Sequence, residues 1–275
     1  MKRTRLAVVA LLAIVFPSLS QAADARPVRP GSDIIGGDPA GTGEFPYMAA
    51  ILDERAGGSD YNKQFCGGSL IAPAWVLTAA HCAEGMWAGD LAVAVGRTLL
   101  NSTQGQRSKV TAVFVDPQFD TPIGLAHDAA LLQLTTPVSA AIAPIRLAAL
   151  PPADEQFEAA GTMLTVIGWG TTSTRKATYP NDLRKVDVPV VSDATCRGAY
   201  GSSLDAATMV CAGAPNIDSC YGDSGGPLLA KNGGAPVQIG IVSWGNGCAK
   251  KRFPGVYSEV NNPETRSWIT GTAGV

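Results

Sequence analysis

The chain has 275 residues, a hydrophobic fraction of 46% and a formal net charge of −2. The small net charge and the lack of a long basic run argue against a nucleic-acid-binding protein. Beyond residue 22, no segment is apolar over a length that would span a bilayer as a helix.

Residues 1–22 have the three-part pattern of a secretory signal peptide. Residues 1–5 are basic, residues 6–16 form an apolar run too short to span a membrane, and small residues at positions 20 and 22 suit signal-peptidase cleavage. Residues 23–33 carry no hydrophobic periodicity, which indicates an extended pro-segment. We therefore expect a secreted protein, extracellular or periplasmic if the host is a Gram-negative bacterium, with no membrane attachment after signal removal.

From residue 34 onward, short apolar runs alternate with turn residues. The runs have strand length and are rich in Val and Ile: 75–80, 91–95, 110–115, 129–134, 163–167, 186–191, 237–244 and 256–260. Many short strands without intervening helices predict an all-β sandwich or barrel, and the Ala- and Pro-rich residues 140–152 can link two β units. A helix is predicted only near the C terminus, where Asn262 can cap it and Pro263 suits its first position.

The chain contains six cysteines: Cys66, Cys82, Cys196, Cys211, Cys220 and Cys248. An even number in an exported chain predicts disulfides, but six cysteines allow fifteen pairings and spacing does not choose among them. Metal binding is the alternative, which the lack of a C-x-x-C pair and the presence of only two histidines disfavour.

Ser224 is the candidate nucleophile. It lies in Gly222-Asp223-Ser224-Gly225-Gly226, where glycines allow a sharp turn and bare amide groups that can hold an oxyanion. This segment also fits the G-x-S-x-G elbow of α/β-hydrolases, in which an acid and then a histidine follow the serine. Both histidines, His81 and His127, precede Ser224, so that fold would have no base.

His81 follows the apolar run 75–80, and Asp128 precedes the run 129–134, so the order is His, Asp, Ser. In these residues the sequence resembles the trypsin/chymotrypsin family of serine proteases, over about residues 34–270. Further motifs match in order: Ile34-Ile35-Gly36-Gly37, Cys66-Gly67-Gly68-Ser69, Gly168-Trp169-Gly170, Ser243-Trp244-Gly245 and Pro254-Gly255-Val256-Tyr257.

The resemblance implies two antiparallel six-stranded Greek-key β-barrels with the active site between them and a short C-terminal helix. The first barrel would occupy residues 34–148 and carry the histidine and the aspartate of the triad. The second would occupy residues 149–275 and carry the nucleophile, the oxyanion hole and the primary specificity pocket.

The same resemblance implies the catalytic roles. Ser224 would attack the scissile carbonyl, His81 would take the proton of Ser224, and Asp128 would orient the imidazole. The N–H groups of Gly222 and Ser224 would form the oxyanion hole. His127 is expected to be a structural neighbour of the acid.

Asp218 matches the base of the primary pocket, where a carboxylate suits the Arg or Lys side chain of a substrate. Ser243, Gly245 and Gly255 complete the implied substrate-binding residues. The two glycines leave room for a long side chain, and Ser243 would also support Asp128 by a hydrogen bond.

The resemblance supplies the disulfides Cys66–Cys82, Cys196–Cys211 and Cys220–Cys248. It also implies a zymogen, in which cleavage frees the α-amino group of Ile34 to pair with Asp223. Trypsin-type precursors have Arg or Lys before this bond, whereas this chain has Asp33. We therefore expect a separate activating protease.

No cofactor or metal is implied, and residues 96–109 lack the Asp and Glu that a calcium-binding loop would need. The expected partners are protein or peptide substrates with Arg or Lys before the scissile bond, protein protease inhibitors and the activating protease, and the protein is expected to be a monomer. The alternatives are a catalytically silent binding homologue and a chymotrypsin-like specificity, which Asp218 argues against.

Overall fold

The computed structural model describes residues 34–275, so the predicted signal peptide and pro-segment lie outside the described residues. The described residues contain fourteen strands: β1 (Asp38–Pro39), β2 (Met48–Asp53), β3 (Gln64–Ala72), β4 (Trp75–Thr78), β5 (Leu91–Val95), β6 (Gln106–Val115), β7 (Ala130–Leu134), β8 (Arg146–Leu147), β9 (Met163–Gly168), β10 (Arg184–Val191), β11 (Met209–Ala212), β12 (Pro227–Asn232), β13 (Ala235–Trp244) and β14 (Gly255–Glu259). The α-helices are α1 (Asp60–Lys63), α2 (Ala80–Ala83), α3 (Asp193–Tyr200) and α4 (Pro263–Ala273), and short 3-10 turns lie at Ala88–Asp90, Glu155–Glu158 and Gly201–Ser203. Within residues 34–275, no helix combines the length and the hydropathy needed to cross a membrane.

The first barrel is closed by antiparallel strands in the order β2-β3-β4-β7-β6-β5, and β5 pairs back onto β2. Thr78 at the end of β4 pairs with Ala130 at the start of β7. Because antiparallel partners end and begin at the same edge, the residues after β4 lie beside those before β7. This register brings His81 and Asp128 to one end of the barrel.

The second barrel consists of β9, β10, β11, β14, β13 and β12, and it closes because β9 pairs with both β10 and β12. Two short strands outside this ring are attached to it. β1 pairs with β10, and β8 runs parallel to β13. The predicted all-β architecture of two six-stranded antiparallel barrels with a C-terminal helix is confirmed.

Helix α4 begins where the sequence predicts. The side-chain oxygen of Asn262 accepts hydrogen bonds from the N–H groups of Glu264 and Thr265, at 3.0 and 3.1 Å, and so caps the helix. Helix α3 was not predicted from the sequence. Its eight residues include Gly198 and bury only Cys196, so no apolar stripe marks the helix in the sequence.

All six cysteines form disulfides, and the three pairs that the resemblance implied are confirmed: Cys66–Cys82, Cys196–Cys211 and Cys220–Cys248. The first pair ties β3 to α2, the second ties α3 to β11, and the third joins the segment before the candidate nucleophile to the loop after β13. Each closes a loop of 15 to 28 residues. In the chain-entropy model, such a loop stabilises the fold by about 3 kcal/mol.

Candidate active site

His81, which is partly exposed, and Asp128, which is buried, form a pair at the end of the first barrel. Nδ1 of His81 lies 2.7 Å from Oδ2 of Asp128, and the N–H of His81 donates to Oδ1 at 2.9 Å. The hydroxyl of Ser243 also donates to Oδ2, so Asp128, which is fully buried, accepts from three groups. These contacts fix the carboxylate and orient the imidazole ring, whose side chain remains 28% exposed.

Ser224 lies on a loop that packs tightly against the first barrel. The N–H of Gly67 in β3 donates to the carbonyl oxygen of Ser224 at 2.7 Å. Gly225 has a φ of 79°, and a Cβ atom there would lie 2.2 Å from Oγ1 of Thr78 at the end of β4. Only glycine suits both this backbone conformation and this space, and the close approach brings Ser224 against the strands that lead to His81.

The hydroxyl of Ser224 makes no hydrogen bond to any other described residue, and it is therefore not bonded to His81 in this structure. Nε2 of His81, the ring nitrogen that does not face Asp128, lies 3.7 Å from Sγ of Cys82. Catalytic hydrogen bonds are often long in the absence of substrate, so this arrangement is compatible with a nucleophile and base that align when substrate binds.

The loop before Ser224 has free backbone donors. Gly222 has a φ of 95°. Within residues 34–275, the N–H groups of Gly222 and Ser224 donate no hydrogen bond, so both can bind an oxyanion. The side-chain amide of Gln64 donates to the carbonyl oxygen of Gly222 at 3.0 Å and so holds this loop. Sequence reasoning missed Gln64, because the contact spans 158 positions and no local pattern marks it.

A cavity of about 240 Å³ opens beside Ser224. All four predicted substrate-binding residues line it together with the nucleophile: Asp218, Ser243, Gly245 and Gly255. The remaining lining residues are Ser219, Cys220, Tyr221, Val242, Trp244, Gly247 and Cys248. The structure therefore gathers the predicted specificity residues around one space.

Asp218 is only 2% exposed, and one of its oxygens has no hydrogen-bond partner among the described residues. Oδ2 accepts the N–H of Ala249 at 2.8 Å, whereas Oδ1 makes no hydrogen bond within the described residues. Burial raises the pKa of Asp218 to about 7. The N–H groups of Ala249, Ser219 and Gly255 offset part of this shift, and the charge of Asp223 adds to it. A buried carboxylate oxygen without a partner is suited to a cationic group entering the cavity.

Asp223, next to the nucleophile, is fully buried. Its carboxylate accepts the N–H of Gly170 at 2.7 Å and the N–H of Cys220 at 2.9 Å, and no described cation contacts it. Burial raises the pKa of Asp223 to about 7 despite these two amide donors. The site therefore has two hydrogen bonds but lacks the counter-charge that would keep a buried carboxylate ionised.

Ile34 is also fully buried and belongs to the main hydrophobic cluster. The next residue, Ile35, pairs with Asp218, and the N–H of Asp218 donates to the carbonyl oxygen of Ile35 at 3.1 Å. The segment that would become the new N terminus is therefore attached directly to the residue at the base of the cavity.

Tyr200 braces the cavity wall and was not singled out in the sequence. Its hydroxyl donates to the carbonyl oxygen of Pro254 at 2.5 Å, and its ring lies 4.7 Å from that of Trp244 in an edge-to-face arrangement. Tyr200 ends α3, the helix that was not predicted, so only the folded chain reveals this contact.

Among the described residues, one group of potential metal ligands lies close together, formed by Cys66, His81 and Cys82. The two cysteines are joined in a disulfide and offer no thiolate. The cluster therefore does not fit a metal ion.

The loop after β5, which lacks carboxylates, is held by an internal cation. Arg97 is 7% exposed and donates to the carbonyl oxygens of Gln104 and Leu100, at 3.1 and 3.0 Å, as well as to Asp60. The guanidinium thus satisfies carbonyl oxygens of the kind that bind hard cations.

Comparison with known proteins shows which family the chain matches. A family model described as Trypsin matches residues 34–269. The chain is 43% identical to a trypsin of Saccharopolyspora erythraea over 229 residues, which covers 82% of this chain and 93% of that protein. It is 38% identical to trypsin-1 of Astacus astacus over 237 residues, covering 83% and 95% of the two chains. It is also 38% identical to a trypsin-like protease of Streptomyces glaucescens over 248 residues, covering 89% and 82%.

Proposed function

The chain belongs to the trypsin family of serine proteases and is a serine endopeptidase, and we propose that it is secreted as a zymogen and cleaves peptide bonds after Arg or Lys. The observation that carries this specificity is the buried carboxylate of Asp218, whose Oδ1 has no partner among the described residues. The positive end of an Arg or Lys side chain would supply the missing partner and charge.

Catalysis would proceed through an acyl-enzyme. The hydroxyl of Ser224 attacks the scissile carbonyl while Nε2 of His81 takes its proton, and the N–H groups of Gly222 and Ser224 stabilise the oxyanion. The imidazolium then protonates the leaving amine. Water, deprotonated by the same ring, hydrolyses the ester and restores Ser224.

Asp128 orients His81 in this scheme. Its Oδ2 faces Nδ1 at 2.7 Å, so Nδ1 carries the proton and Nε2 is free to act as the base. The buried carboxylate would stabilise the imidazolium that forms during each transfer, and Ser243 would keep the carboxylate in place.

Activation would supply the charge that Asp223 lacks. Cleavage before Ile34 creates an α-ammonium group, and a buried carboxylate is stabilised by such a partner. Ile35 is paired with Asp218, so ordering of this segment would also order the base of the specificity cavity.

The test uses mature protein that begins at Ile34. A phosphonylating serine reagent should label Ser224 stoichiometrically, and kcat/KM should favour an Arg peptide over a matched Phe peptide by several orders of magnitude. Labelling of Ser224 without a preference for the Arg peptide would be consistent with a serine endopeptidase but would refute the proposed specificity. A matching preference for Phe would establish the chymotrypsin-like alternative.

A further inference from the structure

His127 precedes Asp128 in the chain, and it is held in an unusual backbone conformation. Its φ is 51°, in the left-handed region that non-glycine residues seldom adopt, and its side chain is nearly fully buried. The carbonyl oxygen of His127 accepts the N–H of Ala129 at 2.7 Å, so a tight turn surrounds Asp128. A strained conformation of this kind persists only where surrounding contacts maintain it.

Those contacts come from the C-terminal helix. Nδ1 of His127 lies 2.8 Å from the hydroxyl of Thr265, which is 1% exposed in the first turn of α4. Nε2 lies 3.6 Å from the carboxylate of Glu264, whose side chain is mostly solvent-exposed. The imidazole therefore joins the segment that carries Asp128 to a helix 138 positions away.

A third element completes the cluster. Asp116, directly after β6, is 2% exposed, and its N–H donates to the carbonyl oxygen of Ala129 at 3.0 Å. One of its carboxylate oxygens accepts the N–H of Gln118 at 2.9 Å. Burial raises the pKa of Asp116. The N–H of Gln118, the nearby imidazole of His127 and the hydroxyl of Thr265 favour its ionised form, and the charge of Glu264 opposes it, so the Thr265 hydroxyl faces both His127 and Asp116. The residues on both sides of Asp128 are thus held by buried polar contacts.

We propose that His127 is a positioning residue for Asp128, acting through its hydrogen bond to Thr265. Asp128 must hold its carboxylate within hydrogen-bond distance of Nδ1 of His81, and its backbone position is set by His127 on one side and Ala129 on the other. Removing the link to α4 frees the turn, and the carboxylate then spends less time aligned with the imidazole. The inference rests on the proposed role of Asp128 in catalysis.

This role differs from that of Ser243. Ser243 contacts the Asp128 carboxylate directly, whereas His127 acts on the backbone that carries it. Loss of alignment affects the transition state, in which the imidazolium must be stabilised, more than substrate binding. The expected effect therefore falls on kcat and leaves KM nearly unchanged.

Thr265→Val is the sharpest test, because it removes the hydroxyl partner of His127 and leaves residues 127 and 128 themselves unaltered. We expect kcat to fall about tenfold, the order of one buried hydrogen bond, with KM within about twofold of wild type. Thr265→Ser keeps the hydroxyl and should retain wild-type kcat. Active-site titration with the phosphonylating reagent corrects every rate for the fraction of correctly folded enzyme.

His127 itself is tested by a matched pair of variants. Asn tolerates a positive φ and places a polar atom near the position of Nδ1, so His127→Asn should keep most of the activity. His127→Ala removes the link and should lower kcat at least as much as Thr265→Val. KM should again stay within about twofold of wild type, a split between kcat and KM that a general loss of structure would not produce.

A double-mutant cycle separates this inference from the proposed function. If Thr265 acts through Asp128, then Thr265→Val should have no further effect in an Asp128→Asn background. An equal loss in both backgrounds, or no loss in wild type, would overturn the positioning role. Full activity of Asp128→Asn alone would instead overturn the proposed triad.

Discussion

Oδ1 of Asp218 and the α-carbon of Gly255 lie so close that a Cβ atom at position 255 would be 2.6 Å from the oxygen. Gly255→Ala should therefore block the face of Asp218 that has no hydrogen-bond partner. We expect kcat/KM for an Arg peptide to fall about 100-fold, the cost of a displacement of about 1 Å at a binding group. Gly245→Ala is the matched control. Its Cβ would lie 3.4 Å from the carbonyl oxygen of Gly247, an ordinary contact, so the loss should be smaller.

Asp218→Ser should remove most of the preference for Arg over Phe, because a buried cation would then have no counter-charge. The measurement is the ratio of kcat/KM for matched Arg and Phe peptides. In wild type this ratio should fall as the pH is lowered through about 7, since burial holds the pKa of Asp218 near 7 and the protonated carboxyl carries no charge. The variant should show a flat ratio. An Arg preference that survives the substitution would mean that another residue selects the substrate.

Ser224→Ala and His81→Ala should each lower kcat by several orders of magnitude, and the double variant should be little worse than either. The reason is that the hydroxyl and its base act as one unit, so losing one makes the other ineffective. Single-turnover and steady-state rates on an Arg peptide test this. Complete loss of activity in His127→Ala, together with full activity in His81→Ala, would show that the base is His127 and not His81.

The precursor should be unable to mature itself. Asp33 precedes Ile34, and the nearest basic residues, Arg26 and Arg29, are each followed by proline, which lacks an N–H and fits a protease cleft poorly. A Ser224→Ala precursor mixed with a trace of active enzyme should yield no Ile34 terminus by N-terminal sequencing. The same precursor with Asp33→Arg should be cut promptly. Rapid appearance of Ile34 in the first mixture would mean that the enzyme also cleaves after Asp.

Glu259 should make the fold less stable at alkaline pH. Burial, together with the charges of Glu158, Asp193 and Asp205, raises the pKa of Glu259 to about 9. Between the pKa of Glu259 in the unfolded chain and about 9, the folded state holds a proton that the unfolded state releases. The contribution of Glu259 to the free energy of unfolding is therefore fully present below the unfolded pKa and is lost as the pH rises through about 9.

Glu259→Gln removes this titration. At pH 9 the Tm of this variant should exceed that of the protein with Glu259 by about 2–4 °C for each 1 kcal/mol gained in the free energy of unfolding. The difference should shrink toward pH 5. The measurement uses a Ser224→Ala background, to prevent self-digestion, and a chelator, because carboxylates also bind cations. Glu84→Gln, at an exposed position, is the control and should leave the Tm unchanged. A Tm difference that is independent of pH would show that Glu259 is ionised in the folded protein.

The sequence by itself determined the local chemistry and the fold class. Strand-length runs rich in Val and Ile, separated by turn residues, predicted an all-β sandwich or barrel, and the family resemblance implied two barrels. Asn262 and Pro263 predicted α4 because capping depends on adjacent residues. The motifs around His81, Asp128 and Ser224, read as a resemblance, also supplied the disulfide pairs. The sequence did not predict the eight-residue helix α3, because its residues form no apolar stripe.

Only the tertiary structure decided which groups share an environment. The pairing of β4 with β7 brings His81 within 2.7 Å of Asp128, across 47 positions. The raised pKa of Asp218 depends on burial by segments far away in the chain. The contact between His127 and Thr265 spans 138 positions. It is the reason why His127, which the sequence suggested to be only structural, is proposed to position Asp128. Electrostatics and alignment depend on distance in space, and a sequence encodes that distance only through the complete fold.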